Sequence, residues 1–341
     1  MKGPQAIFWF IVGLLIVLPE MGSAESPRRI GRVEAFDSRL NELFSSGEKF
    51  EVLASGFTWV EGPLWVPADS KVDGCDSEPG CLLFSDIPRN TIFRWRPGMG
   101  VDKFMSPSGY TGVTYYGLEP GSNGLALDPQ GRLIMCEHGD RRVTRLSVGG
   151  GKLTLVDNYE GKRLNSPNDL TIDREGNLYF TDPPYGLPDR ENDVRRELDF
   201  FGVYRLSNTG DLTLLTTELV RPNGIGLSPD GKTLYVAQSD GERPIWAALP
   251  IEDDGKAGPL RELADARRYR KEFPGAPDGL TVHSSGTLLG SGPGGVYVIT
   301  PEGDVIGRLL TGGRVSNCAL DADEKWLYIT ADKLLCRIRL R

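Results

Sequence analysis

The chain is poor in the residues that several common catalytic and metal sites require. Its 341 residues include only two histidines, His138 and His283, which excludes a histidine-rich zinc site and leaves a serine triad only two possible bases. None of its five cysteines belongs to a Cys-x-x-Cys pair, so a redox or zinc motif of that kind is not indicated. No Gly-x-Ser-x-Gly sequence occurs, which disfavours a serine hydrolase built around that turn.

An excess of positive charge is also absent. Lys and Arg total 39 against 47 Asp and Glu, which gives a net charge of −8 at pH 7. An acidic chain without a basic cluster predicts no nucleic-acid partner and no attraction to anionic lipid. The hydrophobic share of 39% and the charged share of 25% are typical of a globular protein and exclude a multi-span membrane protein. The 43 glycines and 24 prolines favour many short elements joined by tight turns.

The N-terminus differs in composition from the rest of the chain. Lys2 is followed by an uncharged apolar run of 14 residues, 6–19, and then by the small residues Gly22, Ser23 and Ala24. This order is typical of a secretory signal peptide, and the run is short for a transmembrane helix; an uncleaved N-terminal anchor is the alternative. The sequence therefore predicts a signal peptide at 1–24, a single mature domain at 25–341, a periplasmic or secreted location, and no membrane association after cleavage.

Export would place the cysteines in a compartment where disulfides persist. Cys75 and Cys81 flank a short segment rich in Gly, Asp, Ser and Pro, and we expect them to be bonded to each other. Cys136, Cys318 and Cys336 lie in apolar, strand-like runs and are predicted to be small buried core residues.

The main positive signal is a short phrase that recurs along the chain. Each copy has a polar anchor, usually followed by Gly, then an alternating apolar strand and a turn rich in Gly, Asp and Ser. The anchors of the six copies are Glu61, Asn123, Asn168, Asn223, Asp278 and Asn317. Their spacings are 62, 45, 55, 55 and 39 residues.

Most copies contain further strand-like segments, up to four in all, joined by hairpin-turn sequences. Six such units predict an all-β fold, a six-bladed β-propeller with four-stranded antiparallel blades around a central channel. The last copy reaches Arg341 after only three strands. We therefore expect the strand-like segment 50–54, which precedes the first anchor, to supply the fourth strand and close the ring.

A propeller would bring the anchors together, because the first strand of every blade lines the channel. Side-chain oxygens that converge on one axis suit a hard cation. For a single anchor the alternative is ordinary turn chemistry, since Asn-Gly and Asp-Gly beside Pro are typical turn sequences. Six copies in register favour the cation site, because carboxylates such as Glu61 and Asp278 would repel each other without a counter-ion.

Several motifs of one known family occur in order along the chain. They are Glu61-Gly-Pro with Trp65, Ser166-Pro-Asn-Asp169, Thr181-Asp-Pro-Pro-Tyr-Gly186, Arg221-Pro-Asn-Gly224 and Pro277-Asp-Gly279. Together they resemble the gluconolactonase/regucalcin-like family from about Phe50 to the C-terminus, and Cys136-Glu-His-Gly-Asp-Arg-Arg142 is similar to its bacterial gluconolactonase branch. The resemblance implies a six-bladed propeller with one divalent cation in the channel, commonly Ca²⁺, with Zn²⁺, Mg²⁺ or Mn²⁺ as alternatives.

The resemblance also implies roles for individual residues. By motif, the metal ligands are Glu61, Asn168, Asn223 and Asp278. Either Asp278 or Asp169 would be the catalytic general base that takes a proton from water.

Three further residues are predicted to contact substrate. Asn123 is another anchor, His138 ends a predicted strand near the channel mouth, and Tyr185 begins the insertion 185–202, which with 98–121 is a candidate rim of the pocket. A structural role is the alternative for His138.

The predicted function is calcium-dependent hydrolysis of a small-molecule sugar lactone, with the cation polarising the carbonyl group. Two alternatives stay open at this point. One is a metal-dependent hydrolase of phosphotriesters or other esters, and the other is a non-catalytic, ligand-binding propeller with a structural metal. A set of four oxygen ligands favours an enzyme over the non-catalytic protein.

Overall fold

The computed structural model describes residues 1, 3 and 28–341. The predicted signal peptide, 1–24, lies outside the described residues except for positions 1 and 3, so its cleavage stays a prediction. The described chain is almost entirely β-structure. Its four 3₁₀ helices are Ser38–Glu42, Ile87–Arg89, Arg190–Asn192 and Tyr269–Lys271. In this part of the chain no helix has the length and apolar character needed to span a membrane.

Six antiparallel sheets follow one another around the ring as blades. In blades 1 to 5 the four repeat strands are consecutive along the chain, and blade 6 combines three C-terminal strands with one from the N-terminal side. Blade 1 contains Val60–Val66, Cys81–Asp86, Thr91–Arg96 and Gly100–Met105. Blade 2 contains Ser122–Leu127, Leu133–Glu137, Arg142–Leu146 and Lys152–Val156. Blade 3 contains Leu170–Ile172, Leu178–Asp182, Gly202–Leu206 and Leu212–Thr216. A short hairpin, Asn158–Tyr159 with Lys162–Arg163, links blades 2 and 3.

The second half of the ring repeats this arrangement. Blade 4 contains Pro222–Leu227, Thr233–Gln238, Ile245–Pro250 and Arg261–Asp265. Blade 5 contains Leu280–Val282, Leu288–Gly292, Gly295–Ile299 and Val305–Leu310. Blade 6 contains Asn317–Leu320, Trp326–Ala331, Leu334–Arg339 and, from the N-terminal side, Phe50–Ser55. The predicted six-bladed propeller is confirmed.

The ring closes where the two ends of the chain meet. Phe50–Ser55 pairs antiparallel with Leu334–Arg339, as expected from the three-stranded last repeat. Two shorter strands were not predicted. Arg29–Ile30 extends blade 6 and Arg32–Ala35 extends blade 5, so both blades have five strands.

The core consists of apolar clusters on the faces of neighbouring blades. One cluster joins blades 1 and 2 through Leu83 and Met135, and the predicted Cys75–Cys81 disulfide is buried in it, with 5.3 Å between the two Cα atoms. The other three cysteines are free and buried, as expected. Apolar packing of this kind fixes each blade against the next, and therefore fixes the inner strands around the channel.

Candidate active site

A cavity of about 500 Å³ opens at one end of the channel, and five of the six predicted anchors line it. They are Glu61, Asn123, Asn168, Asn223 and Asp278. Tyr185 of the predicted rim lines it as well. Asn317, the sixth anchor, does not, because its side-chain amide donates a hydrogen bond to Asp169 deeper in the channel. The repeat therefore brings together the four predicted metal ligands and Asn123, and Tyr185 joins them from the insertion 185–202.

The glycine after an anchor allows neighbouring inner strands to approach closely. The N–H of Gly224 donates to the carbonyl oxygen of Asp278 at 3.0 Å, and a Cβ atom at Gly224 would lie 2.2 Å from that oxygen. A Cβ atom at Gly279 would lie 1.9 Å from the side chain of Asn317. These glycines are therefore needed for blade-to-blade contact, which corrects the simple reading of Asn-Gly and Asp-Gly as turn sequences.

His138 lies behind the cavity wall and is fully buried. Its Nε2 is 3.4 Å from the side-chain nitrogens of both Asn123 and Asn168. Burial lowers the pKa of His138 to about 4, so the ring is neutral at pH 7 and Nε2 can accept from both amides. With their nitrogens turned towards His138, both amides present oxygen away from it. His138 is not among the cavity-lining residues, so this geometry favours the alternative, a structural role, over the predicted substrate contact.

The cavity combines carboxyl groups with oxygens that have no hydrogen-bond donor. Burial raises the pKa of Glu61 well above its usual value, and the negative charges of Asp278 and Asp169 raise it further. Burial also raises the pKa of Asp278, whose Oδ1 atom has no hydrogen-bond partner among residues 28–341. The amide oxygens of Asn123 and Asn168 are also buried, and the described part of the chain offers them no hydrogen-bond donor. No Lys or Arg nitrogen of residues 28–341 lies within 4.0 Å of the carboxylates of Glu61 and Asp278, so a divalent cation would supply the positive charge that this set of oxygens lacks.

No three His, Cys, Asp or Glu side chains in residues 28–341 are grouped so that they alone could hold a metal ion. Amide oxygens are therefore required to complete any ion site in the cavity. Glu61, Asp278, Asn168 and Asn223 supply two carboxylates and two amides, a donor set that suits a hard cation and offers neither sulfur nor imidazole.

Asp169 is separated from the other predicted catalytic residue. It lines a second cavity of about 320 Å³ that opens at the other end of the channel, whereas Asp278 lines the first. Its carboxylate accepts hydrogen bonds from the N–H of Leu170 at 3.0 Å and the amide of Asn317 at 3.1 Å. Burial raises its pKa to about 7. The two candidate bases thus line different cavities, although burial and then the negative charge of Asp169 both raise the pKa of Asp278.

The sequence model of the family described as "SMP-30/Gluconolactonase/LRE-like region" matches residues 59–333. This range is most of the chain and includes the inner strands of all six blades. The chain belongs to the SMP-30/gluconolactonase/LRE-like family.

Members of this family and their structures are similar over almost the full length. The chain is 36% identical to a gluconolactonase of Zymomonas mobilis, over 94% of this chain and 91% of the relative. The structure of a gluconolactonase from Xanthomonas campestris superposes with a TM-score of 0.78 at 32% identity, covering 93% and 99% of the two chains. A calcium-binding regucalcin from Agrobacterium tumefaciens, with a TM-score of 0.61 at 17% identity over 85% and 93%, shares the fold.

This member of the SMP-30/gluconolactonase/LRE-like family also has cavity residues that the sequence reasoning missed. Glu119 comes from the insertion 98–121, which was predicted as a candidate rim without any of its residues being singled out. Its Oε2 atom is 3.9 Å from Nδ1 of His138, and burial raises its pKa to about 7. Trp59 and Ser239 line the cavity too, together with four arginines. Glu119 precedes a Pro-Gly pair and an anchor, but it lies outside the repeat, so periodicity could not identify it.

Proposed function

We propose that the chain is a lactonase of the gluconolactonase type, a carboxylic ester hydrolase that opens a small-molecule sugar lactone. Family membership and the gluconolactonase activity named for its relatives support this proposal. The single observation in the molecule that carries it is the convergence of Glu61 and Asp278 with the unpartnered amide oxygens of Asn123 and Asn168 in one cavity.

We further propose that Glu61, Asn168, Asn223 and Asp278 hold one divalent cation, with Ca²⁺ as the first choice. The oxygen donor set and the raised pKa values of the two carboxyl groups support a cation here. When bound, such an ion supplies positive charge that polarises an ester carbonyl group and lowers the pKa of water. It would also favour the ionised form of Asp278.

In the proposed reaction Asp278 is the general base. Asn123 and Tyr185 line the cavity and hold the lactone by its oxygens, so that its carbonyl carbon faces Asp278. Asp278 takes a proton from a water molecule as the water oxygen adds to that carbon. The bond between the carbonyl carbon and the ring oxygen then breaks. The proton held by Asp278 passes to the ring oxygen, and a hydroxy acid leaves.

The test is a hydrolysis assay on chelator-treated full-length mature protein with aldonolactones and, in parallel, a phosphotriester. We expect lactone hydrolysis that requires added calcium and little turnover of the phosphotriester. Hydrolysis of the phosphotriester alone would refute the lactonase proposal. Lactone hydrolysis that persists unchanged in chelator would refute the role of the cation but not the lactonase.

We also propose that the protein is exported and cleaved after Ala24. The composition of the N-terminus supports this, and the Cys75–Cys81 disulfide is of the kind that persists in oxidising compartments. N-terminal sequencing of the mature product should begin at Glu25. A soluble cytoplasmic protein that retains Met1 would refute it.

A further inference from the structure

The mouth of the active-site cavity is rich in arginine, although the chain as a whole has a net charge of −8. Four guanidinium groups line the cavity, against three carboxyl groups. The arginines are Arg190, Arg221, Arg270 and Arg314. The carboxyl groups are Glu61, Glu119 and Asp278. Arginine keeps its charge at any pH at which the protein is folded, so this positive charge is permanent.

Two of the four arginines are already paired with acidic side chains. Arg190 Nη2 lies 3.6 Å from Glu119 Oε1, and the Arg190 guanidinium is 5.7 Å from the centre of the Tyr185 ring. Arg190 also has a φ of 50°, a left-handed conformation that is unfavourable for a residue with a side chain. Arg221 forms an ion pair with Glu191. These contacts fix Arg190 and Arg221 at the rim and largely balance their charge.

The positive charges of the other two arginines, Arg270 and Arg314, are not balanced by a nearby carboxylate of the described residues. Arg270 donates to the backbone carbonyl oxygen of Gly241, and Arg314 is exposed. Within residues 28–341 neither guanidinium has a carboxylate oxygen within 4.0 Å. The remaining acidic groups of the cavity, Glu61 and Asp278, are the two that the proposed function assigns to the cation. Arg270 and Arg314 therefore leave unbalanced positive charge in the substrate cavity.

We propose that the cavity selects lactones that carry an anionic group, a phosphate ester or a carboxylate, on the carbon chain away from the lactone carbonyl. Arg270 and Arg314 bind that group. This inference rests on the proposed lactonase function and adds the substrate class. Guanidinium groups match phosphate and carboxylate oxygens in geometry as well as in charge. A cavity of about 500 Å³ lies in the usual size range of small-molecule sites.

The first test compares kcat/KM for glucono-1,5-lactone with that for its 6-phosphate and for glucaro-1,4-lactone, on calcium-loaded protein. We expect at least about a tenfold preference for an anionic lactone, the scale of one charge-assisted hydrogen bond. The preference should shrink as salt is added. The double substitution Arg270→Gln and Arg314→Gln should remove most of it. Arg174→Gln, in an exposed turn of blade 3, is the matched control and should preserve the preference.

A second readout is calorimetric binding of 6-phosphogluconate and gluconate to the same proteins, which needs no turnover. Tighter binding of the phosphorylated acid, lost in the double variant only, supports the inference even if none of the lactones is hydrolysed. Hydrolysis of neutral lactone with no anionic preference and equal binding of the two acids would overturn the inference while leaving the lactonase standing. A preference that survives in the double variant would overturn the assignment to Arg270 and Arg314.

Discussion

The carboxylate of Asp169 accepts a hydrogen bond of 3.1 Å from the side-chain amide of Asn317, which joins blade 3 to blade 6 inside the channel. Asp169 occupies the position that is glycine after four of the other anchors, as in Gly224 and Gly279. Its neighbour Asn168 lines the mouth cavity, while Asp169 lines the cavity at the opposite end. The adjacent residues Asn168 and Asp169 thus line different cavities. The two candidate bases, Asp169 and Asp278, also line different cavities.

The first prediction concerns Asp278→Asn. The substitution keeps the size and one oxygen but removes the negative charge and the ability to take a proton from water. We expect the turnover of lactone to fall on the order of 100-fold or more, the usual scale for a positioned acid–base group. Steady-state kinetics at saturating calcium would measure it. The control is Asp253→Asn on the exposed surface of blade 4, and parental turnover by Asp278→Asn would show that the base is another group.

The second prediction concerns Asp169→Asn. The amide oxygen of the new residue can still accept the bond from Asn317, and the substituted group does not line the mouth cavity. We therefore expect turnover to stay within about tenfold of the parent, well above that of Asp278→Asn. The same kinetic assay decides whether Asp169 or Asp278 is the general base. If Asp169→Asn lost as much activity as Asp278→Asn, Asp169 would have to be assigned to the reaction.

The six-bladed fold could be predicted because the same pattern of anchor, strand and turn occurs six times in the sequence. Each inner strand contains or closely follows a polar anchor, and glycine residues such as Gly224 and Gly279 allow adjacent strands to touch. The missing fourth strand of the last repeat identified the segment 50–54 as the one that closes the ring, where the structure has Phe50–Ser55. The strands Arg29–Ile30 and Arg32–Ala35 are short and lie outside the repeat, and their pairing depends on edges that only the folded propeller offers.

The site could be predicted only where the repeat contributes to it. Asn123, Asn223 and Asp278 were identified because their positions are equivalent. Glu119 and Arg314 come from loops, and nothing in their local sequence indicates which end of the channel they reach. For His138 the end of a predicted strand indicated only a position near the channel mouth, and the sequence could not show that the ring is buried behind two asparagines.

The third prediction concerns the disulfide between Cys75 and Cys81. The bond closes a loop with a sequence separation of 6, and both residues are buried between blades 1 and 2. Restricting so short a loop in the unfolded chain is worth about 2 kcal/mol. The double substitution Cys75→Ser and Cys81→Ser should lower the free energy of unfolding by at least that amount, because it also buries hydroxyl groups. Urea unfolding would measure this, with Cys336→Ser as a control for the hydroxyl alone.

The fourth prediction concerns Gly224→Ala. The added methyl group would lie 2.2 Å from the carbonyl oxygen of Asp278, so blade 4 and blade 5 would have to move apart beside the metal ligands. We expect a destabilisation of roughly 1–3 kcal/mol and weaker calcium binding. Thermal unfolding and calcium titration would report both effects. Gly151→Ala is the matched control, since a methyl group there would contact nothing within 4 Å, and equal behaviour of the two variants would argue against the close approach.

The last prediction joins pH, cation and stability. Burial raises the pKa of Glu119, Asp169 and Asp182 to about 7, above ordinary values of 4.5 and 3.8. Between the ordinary and raised values the folded state binds more protons than the unfolded state, so stability decreases as pH rises. His138 acts in the opposite sense, because its pKa is lowered to about 4 and its contribution is lost as pH falls below about 6.5. Three carboxyl groups act against this one histidine, so the net effect is a loss of stability as pH rises.

We therefore expect chelator-treated protein to be less stable at pH 8 than at pH 5, by an amount on the order of a few kcal/mol. Calcium should stabilise the protein more at pH 8, because Glu61 and Asp278 must be ionised to bind it. Urea unfolding at both pH values, with chelator or calcium and with sodium chloride matching the ionic strength, would separate these effects. Chelated protein that is equally stable at both pH values would show that these buried carboxyl groups do not take up protons on folding. Equal stabilisation by calcium at both would show that the ion binds outside the channel.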